Sequence, residues 1–457
     1  MTNITKYERF VAETLLLLLL LALPFERVLT FDVAGFTVKP PYLAGILLIC
    51  YFFYSVISKK VKIKIESYDY AAIAFIVFSY TTFFWSIDRA KTVIISSMFL
   101  FVYLIFLSVR SFVYCHSEQS EESQRSFSSH SQDDKGPTAN YEKRQKNKID
   151  LYITIFIWLG VGCSIFALFQ FFGDSAGLPQ HVTGLSDLYT KSVFGFPRVQ
   201  STFFEPGFFA NFLLIAIFAN MARLTSGRRL YYVSFLIIFT AFILTLSRGG
   251  FFAFAIAYAI TAILIIFKAK DKAVLVYRSL GLMLVSVFLA LSCVWLVSGS
   301  QGVNRFSDQA RNAEDLVAGM SQENVQNFTR NTTIKIAIEN WKDNIFGIGT
   351  GAFGSLPEFN KTREMGNQRQ TVNSLYPEIL VEGGIQSLIA FLAFIGLLIF
   401  IVLRLFWRTG DTETLLFAAS VGAIFLQYLS FSTLYLIYVW VFLGLVPAST
   451  ESSDGKS

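Results

Sequence analysis

Arg248 stands in Leu246-Ser247-Arg248-Gly249-Gly250, the single polar break between two apolar runs that are each long enough to cross a bilayer. Burying its guanidinium at mid-membrane would cost about 2.5–3.5 kcal/mol on insertion scales, so the residue is expected at a helix end, facing a cavity or an anionic ligand. Gly249 and Gly250 let backbone amides approach such a ligand, with Ser247 beside them, and the start of the following helix adds the positive end of a dipole. The competing reading is an arginine that snorkels to the headgroups and only anchors its helix. A second motif, Pro197 to Gly207, carries Arg198 and Glu205 at a proline-bounded entry into another apolar run. Arg198 can grip a phosphate bidentately while Glu205 orients a sugar hydroxyl or the arginine itself. An interfacial ion pair at a helix start, with Pro206 in the first turn, fits these residues equally well. Taken together, two arginines beside helix breaks read as a diphosphate clamp.

The third motif runs from Arg330 through Trp341 and Gly347-Ile348-Gly349-Thr350-Gly351 to Asn373-Ser374-Leu375-Tyr376-Pro377-Glu378, ending Glu382-Gly383-Gly384, with Arg363 and Arg369 between. Asn373, Tyr376, Glu378 and Glu382 form an approximate helical stripe, a candidate acceptor site; a solvated amphipathic surface helix explains Glu378 as well. The glycine run lacks the strand context and the lysine of a nucleotide loop.

These motifs need a membrane scaffold to hold them. Hydrophobic residues make up 54% of 457 and charged ones 15%, which places the chain among polytopic membrane proteins. Apolar windows of about 20 residues fall near 9–25, 40–58, 69–86, 91–109, 150–172, 203–222, 230–246, 250–267, 279–298, 383–403, 413–429 and 432–447. The expected fold is therefore an all-α integral membrane protein of about 12 transmembrane helices, with one large periplasmic segment between spans 9 and 10. Lysines and arginines follow the even-numbered spans (Lys59, Lys60, Lys62 and Lys64; Arg223, Arg228 and Arg229; Lys268, Lys270, Lys272 and Arg278; Arg404 and Arg408), so both termini are expected in the cytoplasm and all three motifs on the opposite face. The expected organisation is spans 1–4 over 1–110, a disordered cytoplasmic insert over 111–149, spans 5–9 with the arginine motifs over 150–298, a periplasmic loop domain over 299–382, spans 10–12 over 383–447 and a cytoplasmic tail over 448–457.

The net charge of +6 is what cytoplasmic loops alone supply, and no basic patch with interleaved aromatics points to nucleic acid. Four scattered cysteines imply neither a zinc site nor a disulfide framework. His116 and His130 lie in the insert, leaving His181, so a histidine-based metal site is not expected.

The order and spacing of these motifs, over roughly 150–405, resemble the O-antigen ligase and Wzy-type O-antigen polymerase superfamily of bacterial inner membranes. The likeness rests on Arg198 with Pro206, Ser247-Arg248-Gly249, Arg330 with Trp341 and Gly347-Ile348-Gly349, and the helix from Asn373 to Gly383-Gly384. It implies a metal-independent, cofactor-free membrane glycosyltransferase that takes a glycan from undecaprenyl diphosphate on the periplasmic side. Arg198 and Arg248 match the arginines that hold the donor diphosphate. The implied partners are that donor, a glycan or lipid acceptor, membrane lipids and a chain-length regulator. Two departures stand out: Asn373 occupies the place of the histidine that serves ligases as presumed base, and Asn344 replaces a proline common before the glycine turn. Asparagine can position a hydroxyl but cannot take its proton, which passes that task to Glu205, Glu378, Glu382 or water. The expectation is a polymerase of O-antigen or exopolysaccharide repeat units. The rival is a ligase acting on lipid A-core or another acceptor; a secondary transporter is the reading from another class, without the internal repeat such carriers show.

Overall fold

The computed structural model describes residues 6–33, 36–61, 63–125, 137–186, 196–269, 273–311, 330–360 and 370–451. Arg363 and Arg369, the centre of the polar insert and parts of the long segment between expected spans 9 and 10 lie outside them. Apart from one antiparallel pair of three-residue strands, β1 (Phe31–Val33) and β2 (Phe36–Val38), regular structure among the described residues is helical. Among the described residues seven helices are long and apolar enough to cross a membrane, and three shorter apolar ones, Arg229–Leu244, Thr412–Gln427 and Ile437–Val446, fall on further expected windows. Windows 9–25 and 69–86 overlap α1 (Lys6–Ala22) and α3 (Ser67–Thr81). Where disorder was expected over 111–149, helix continues to Arg125 and resumes at Pro137.

The chain divides into two compact units. The first comprises 1–23, 30–155 and 329–457. It holds α1, α2 (Pro40–Ile57), α3, α4 (Arg89–Arg125) and the first part of α5 (Pro137–Ser175). Later in the chain it adds α11 (Arg330–Asp343), α12 (Leu375–Thr409), α13 (Thr412–Gln427) and α14 (Ile437–Glu451). Helix α12 packs along α3, and α14 along α4. Aromatic rings fill the seams: Phe391 of α12 meets Phe75 and Phe425, and Phe394 stacks on Trp440 at 5.8 Å.

One end of this unit is pinned by charge. Asp69, in the first turn of α3, is fully buried and accepts from Arg110 Nη1 at 2.8 and 2.9 Å, from Tyr103 Oη at 3.1 Å and from Glu66 N at 2.7 Å. Arg110 Nη2 also donates to the Lys64 carbonyl at 2.7 Å, and its guanidinium lies 5.2 Å from the Tyr68 ring centroid. A pair so enclosed is expensive to break from one side, because the surviving charge has neither water nor partner.

The second unit comprises 24–29 and 156–328, and includes the single-turn α6 (Gln180–Thr183) after α5. Its axis is α7 (Pro206–Leu224), nearly every residue of which is buried, against the remainder of α5, α8 (Arg229–Leu244) and α9 (Arg248–Lys268). Gly160 of α5 lets the two helices close, since a Cβ there would lie 2.6 Å from Ala216 Cβ. Helix α10 (Ala273–Arg311) packs on α8 and α9 and leaves Leu284, Phe288, Leu291 and Leu296 exposed, a surface suited to lipid.

Asp69→Ala should lower stability by about 3–5 kcal/mol, read as a fall in the thermal unfolding midpoint of the purified protein. The double replacement Asp69→Leu with Arg110→Met should cost distinctly less; equal losses would mean the ion pair is not what pins this end.

Candidate functional site

In the second unit the arginine motifs are built around the entry to α7. Residues 197–200, without regular secondary structure, pass beside the end of α8: Val199 N donates to the Leu244 carbonyl at 3.3 Å, and Arg198 Nε to the Thr245 carbonyl at 3.2 Å. That carbonyl belongs to the turn between α8 and α9, so Arg198 is tethered three residues from Arg248 in the chain. Leu246 takes a left-handed φ of 50°, which lets the chain reverse there. Ser247 then caps α9, its Oγ accepting from Gly250 N at 3.3 Å. Arg248 is the first residue of α9, and its exposed side chain makes no hydrogen bond or ion pair among the described residues. Gly249 follows in that first turn, and Gly250 fits beneath Ala210 of α7, where a Cβ would lie 3.1 Å from Ala210 Cβ.

Glu205 is the residue before α7, and Pro206 opens the helix as expected. Its side chain retains exposed surface, yet the protein packed around the carboxyl makes burial the larger influence and pushes its pKa above the ordinary 4.5, while the Arg198 charge pulls it back. Behind this entry lies a residue that motif reading passed over. Gln170 of α5, fully buried, accepts from Ser201 N at 2.8 Å and Gln200 N at 3.3 Å, and donates to the Ser201 carbonyl at 3.0 Å. The signal available in the sequence was a lone carboxamide in the apolar run Phe166-Ala167-Leu168-Phe169-Gln170-Phe171-Phe172.

The remaining candidates belong to the first unit. Helix α12 is interrupted at Gly384, whose φ of 77° is not helical. The glycine run docks against that break: Ile348 N donates to the Val381 carbonyl at 2.9 Å, Gly349 N to the Glu382 carbonyl at 3.0 Å, and Ile385 N to the Ile345 carbonyl at 3.2 Å. These bonds replace the intrahelical ones the break removes. Glu382, 8% exposed, spends both carboxylate oxygens on the same loop, Oε2 accepting from Gly351 N at 2.7 Å and Oε1 from Phe353 N at 3.1 Å. The other side is held by Trp85 Nε1 on the Gly347 carbonyl and by Thr82 Oγ1, which accepts from Thr350 N. Asp88 accepts from Ser355 Oγ at 2.7 Å and pairs with Lys91. Burial raises the Asp88 carboxyl, but these bonds outweigh it and hold the group below its usual 3.8. The glycines are thus packing devices. A Cβ on Gly347 would collide with the Glu382 backbone, and one on Gly349 with Ser86.

Arg330, Asn373, Tyr376 and Glu378 gather around the start of α12. Glu378 Oε2 accepts from Val372 N at 3.0 Å, the Val372 carbonyl accepts from Thr333 Oγ1 at 2.9 Å, and Tyr376 Oη donates to the Phe425 carbonyl at 2.6 Å. Arg330, exposed on α11, donates from Nη2 to the Ser430 carbonyl at 2.7 Å. Asn373 is exposed at a φ of 58°, and its Oδ1 accepts from Thr371 Oγ1. Trp341 is half-buried, and its Nε1 lacks a hydrogen-bond partner among the described residues. No three or more His, Cys, Asp or Glu side chains among the described residues stand together as a metal cage.

Residues 233–392 match the family model described as O-antigen ligase, which shows the resemblance to the O-antigen ligase and Wzy superfamily. The matched span contains Ser247, Arg248, Gly249 and every candidate of the first unit; Arg198 and Glu205 precede it. No curated protein and no solved structure matches the chain.

Gly347→Ala should dislodge the loop, because a Cβ there meets backbone and the φ of 87° disfavours it. Faster limited proteolysis within 344–360 is expected, with Gly422→Ala, whose Cβ meets open space, behaving as wild type. Equal protection of both variants would show that the loop does not depend on this contact.

Proposed function

We propose that the chain is a bacterial inner-membrane glycosyltransferase that polymerises undecaprenyl-diphosphate-linked repeat units at the periplasmic side, with Arg198 and Arg248 holding the donor diphosphate. The observation that carries this reading is the tether of Arg198 to the Thr245 carbonyl, which brings it to the turn that presents the unpartnered Arg248 at the start of α9. The family match over 233–392 and the apolar helices support the membrane and enzyme class.

In the reaction, the bond between the anomeric carbon and the diphosphate oxygen breaks, and an acceptor hydroxyl forms the new glycosidic bond and gives up its proton. Undecaprenyl diphosphate leaves with its negative charge, which two guanidinium groups and the α9 N-terminus stabilise without a metal. Each charge-assisted hydrogen bond contributes about 1.5–3 kcal/mol. Ser247 and Gly249 shape the anion turn. Arg330, Trp341, Asn373, Tyr376 and Glu378 are the proposed acceptor-binding set. Glu382, named with the catalytic residues on sequence grounds, has a carboxylate engaged with two loop amides, and we assign it to holding the glycine loop. Among the carboxylates, Glu205 is the proposed base, since it lies beside Arg198 with its pKa already raised. The ligase reading is favoured by the description of the matching family; the polymerase reading is favoured by Asn373 in place of histidine.

Purified protein given a lipid-diphosphate oligosaccharide in the presence of a chelator should produce longer glycan-lipid. Transfer only when lipid A-core is added would favour the ligase, loss of activity with chelator would remove metal independence, and uptake without covalent transfer would favour a carrier. Arg248→Ala should reduce turnover roughly tenfold to a hundredfold, the size of one lost charge-assisted bond, and undiminished turnover would end the clamp reading.

Affinity for a diphosphate should also depend on pH. Glu205 in its ionised form competes for Arg198, so binding should weaken as pH rises through the elevated Glu205 pKa and strengthen below it. Glu205→Gln should flatten that dependence; a variant that keeps the wild-type profile would exclude Glu205 as its source.

A further inference from the structure

A carboxamide inside an apolar span is costly unless all its hydrogen-bonding capacity is used. Gln170 spends its capacity on one short piece of backbone: the two amides of Gln200 and Ser201 and the carbonyl of Ser201. It therefore acts on the segment as a template, receiving two successive N–H groups on one atom and returning a bond from the other. Ser201 needs such a hold. Its φ of 53° is a left-handed conformation that residues with a Cβ rarely adopt. Its hydroxyl also donates to the Cys163 carbonyl of the same helix at 2.9 Å. Arg198 lies two residues before Gln200, and the intervening Val199 is fully buried with its N–H on the Leu244 carbonyl. No glycine interrupts 198–201, so a constraint on the Gln200 and Ser201 backbone is passed to Arg198 with little slack.

We propose that Gln170 is a positioning residue for anion binding: by holding the backbone of Gln200 and Ser201 in its strained turn, it sets where Arg198 presents its guanidinium. This rests on the reading of Arg198 as a diphosphate ligand. Gln170 touches no ligand in this scheme. Its influence passes through Arg198, whereas a residue that merely satisfied a buried loop would affect folding and leave the affinity for anions untouched once the protein is folded.

A double-mutant cycle on the full-length protein in nanodiscs separates the two, with farnesyl diphosphate as the probe and its dissociation constant as the readout. Arg198→Ala should weaken binding at least tenfold. Gln170→Leu, close in shape but unable to form hydrogen bonds, should weaken it about tenfold alone and add nothing in the Arg198→Ala background. Gln170→Glu, which can still accept from both amides but loses the bond to the Ser201 carbonyl, serves if the leucine variant does not fold, and should show a smaller loss that also vanishes without Arg198. Wild-type affinity in folded Gln170 variants, or losses that multiply with that of Arg198→Ala, would overturn the inference. If Arg198→Ala leaves affinity unchanged, the diphosphate reading itself falls. Independently of any ligand, a structure of the Gln170→Leu variant should show Arg198 Nε displaced from the Thr245 carbonyl, and retention of that bond would overturn the positioning role alone.

Discussion

A hydrocarbon layer supplies no water to satisfy backbone groups, so wherever a helix stops or breaks near it, protein must provide the missing partners. This constraint organises both units. At Gly384 the interruption of α12 is sealed by the 345–353 loop, whose amides take the carbonyls of Val381 and Glu382 and both oxygens of the Glu382 carboxylate. At the entry to α7, the non-helical 198–204 segment is sealed by Gln170 on one side and by the Leu244 and Thr245 carbonyls on the other. At the turn between α8 and α9, Ser247 meets the Gly250 amide, and Arg198 covers a carbonyl that the helix end leaves over.

The same seals concentrate reactive side chains. Polar groups tolerated in an apolar scaffold are those with work at a break, and breaks are where backbone donors and helix dipoles are presented to a ligand. Arg248 differs from its neighbours in this respect. Ser247, Gln170 and Glu382 are absorbed in holding backbone, while the Arg248 side chain at the start of α9 is exposed and makes no hydrogen bond or ion pair among the described residues. This contrast is the reason the turn is proposed to meet a diphosphate.

Much of the scaffold was legible in the chain because apolar runs and punctuating residues are local properties. All twelve expected windows overlap helices, and Pro206, Ser247 and the Leu246–Gly250 break mark helix starts where their chemistry predicts. The stripe Asn373, Tyr376, Glu378 and Glu382 was also visible as a spacing, but its division of labour was not. Glu378 and Glu382 are one turn apart on the same helix, yet one receives the amide of Val372 at the helix start and the other clamps a loop. Nothing in a four-residue spacing distinguishes those partners. The Gly347 to Gly351 run shows in the chain only as a flexible turn, and its close approach to the Glu382 backbone and to Ser86 needed coordinates.

By itself, the sequence determined that this is a multi-span membrane protein with cationic turns at helix starts, because the transfer cost of each segment depends on its own composition. Tertiary structure alone decided which polar side chain serves which break: Gln170 reaches Ser201 across 31 positions, and Glu382 reaches Gly351 across the same separation. Such pairings follow from how helices stack in three dimensions, and a hydrogen bond between residues so far apart leaves no periodic trace along the chain.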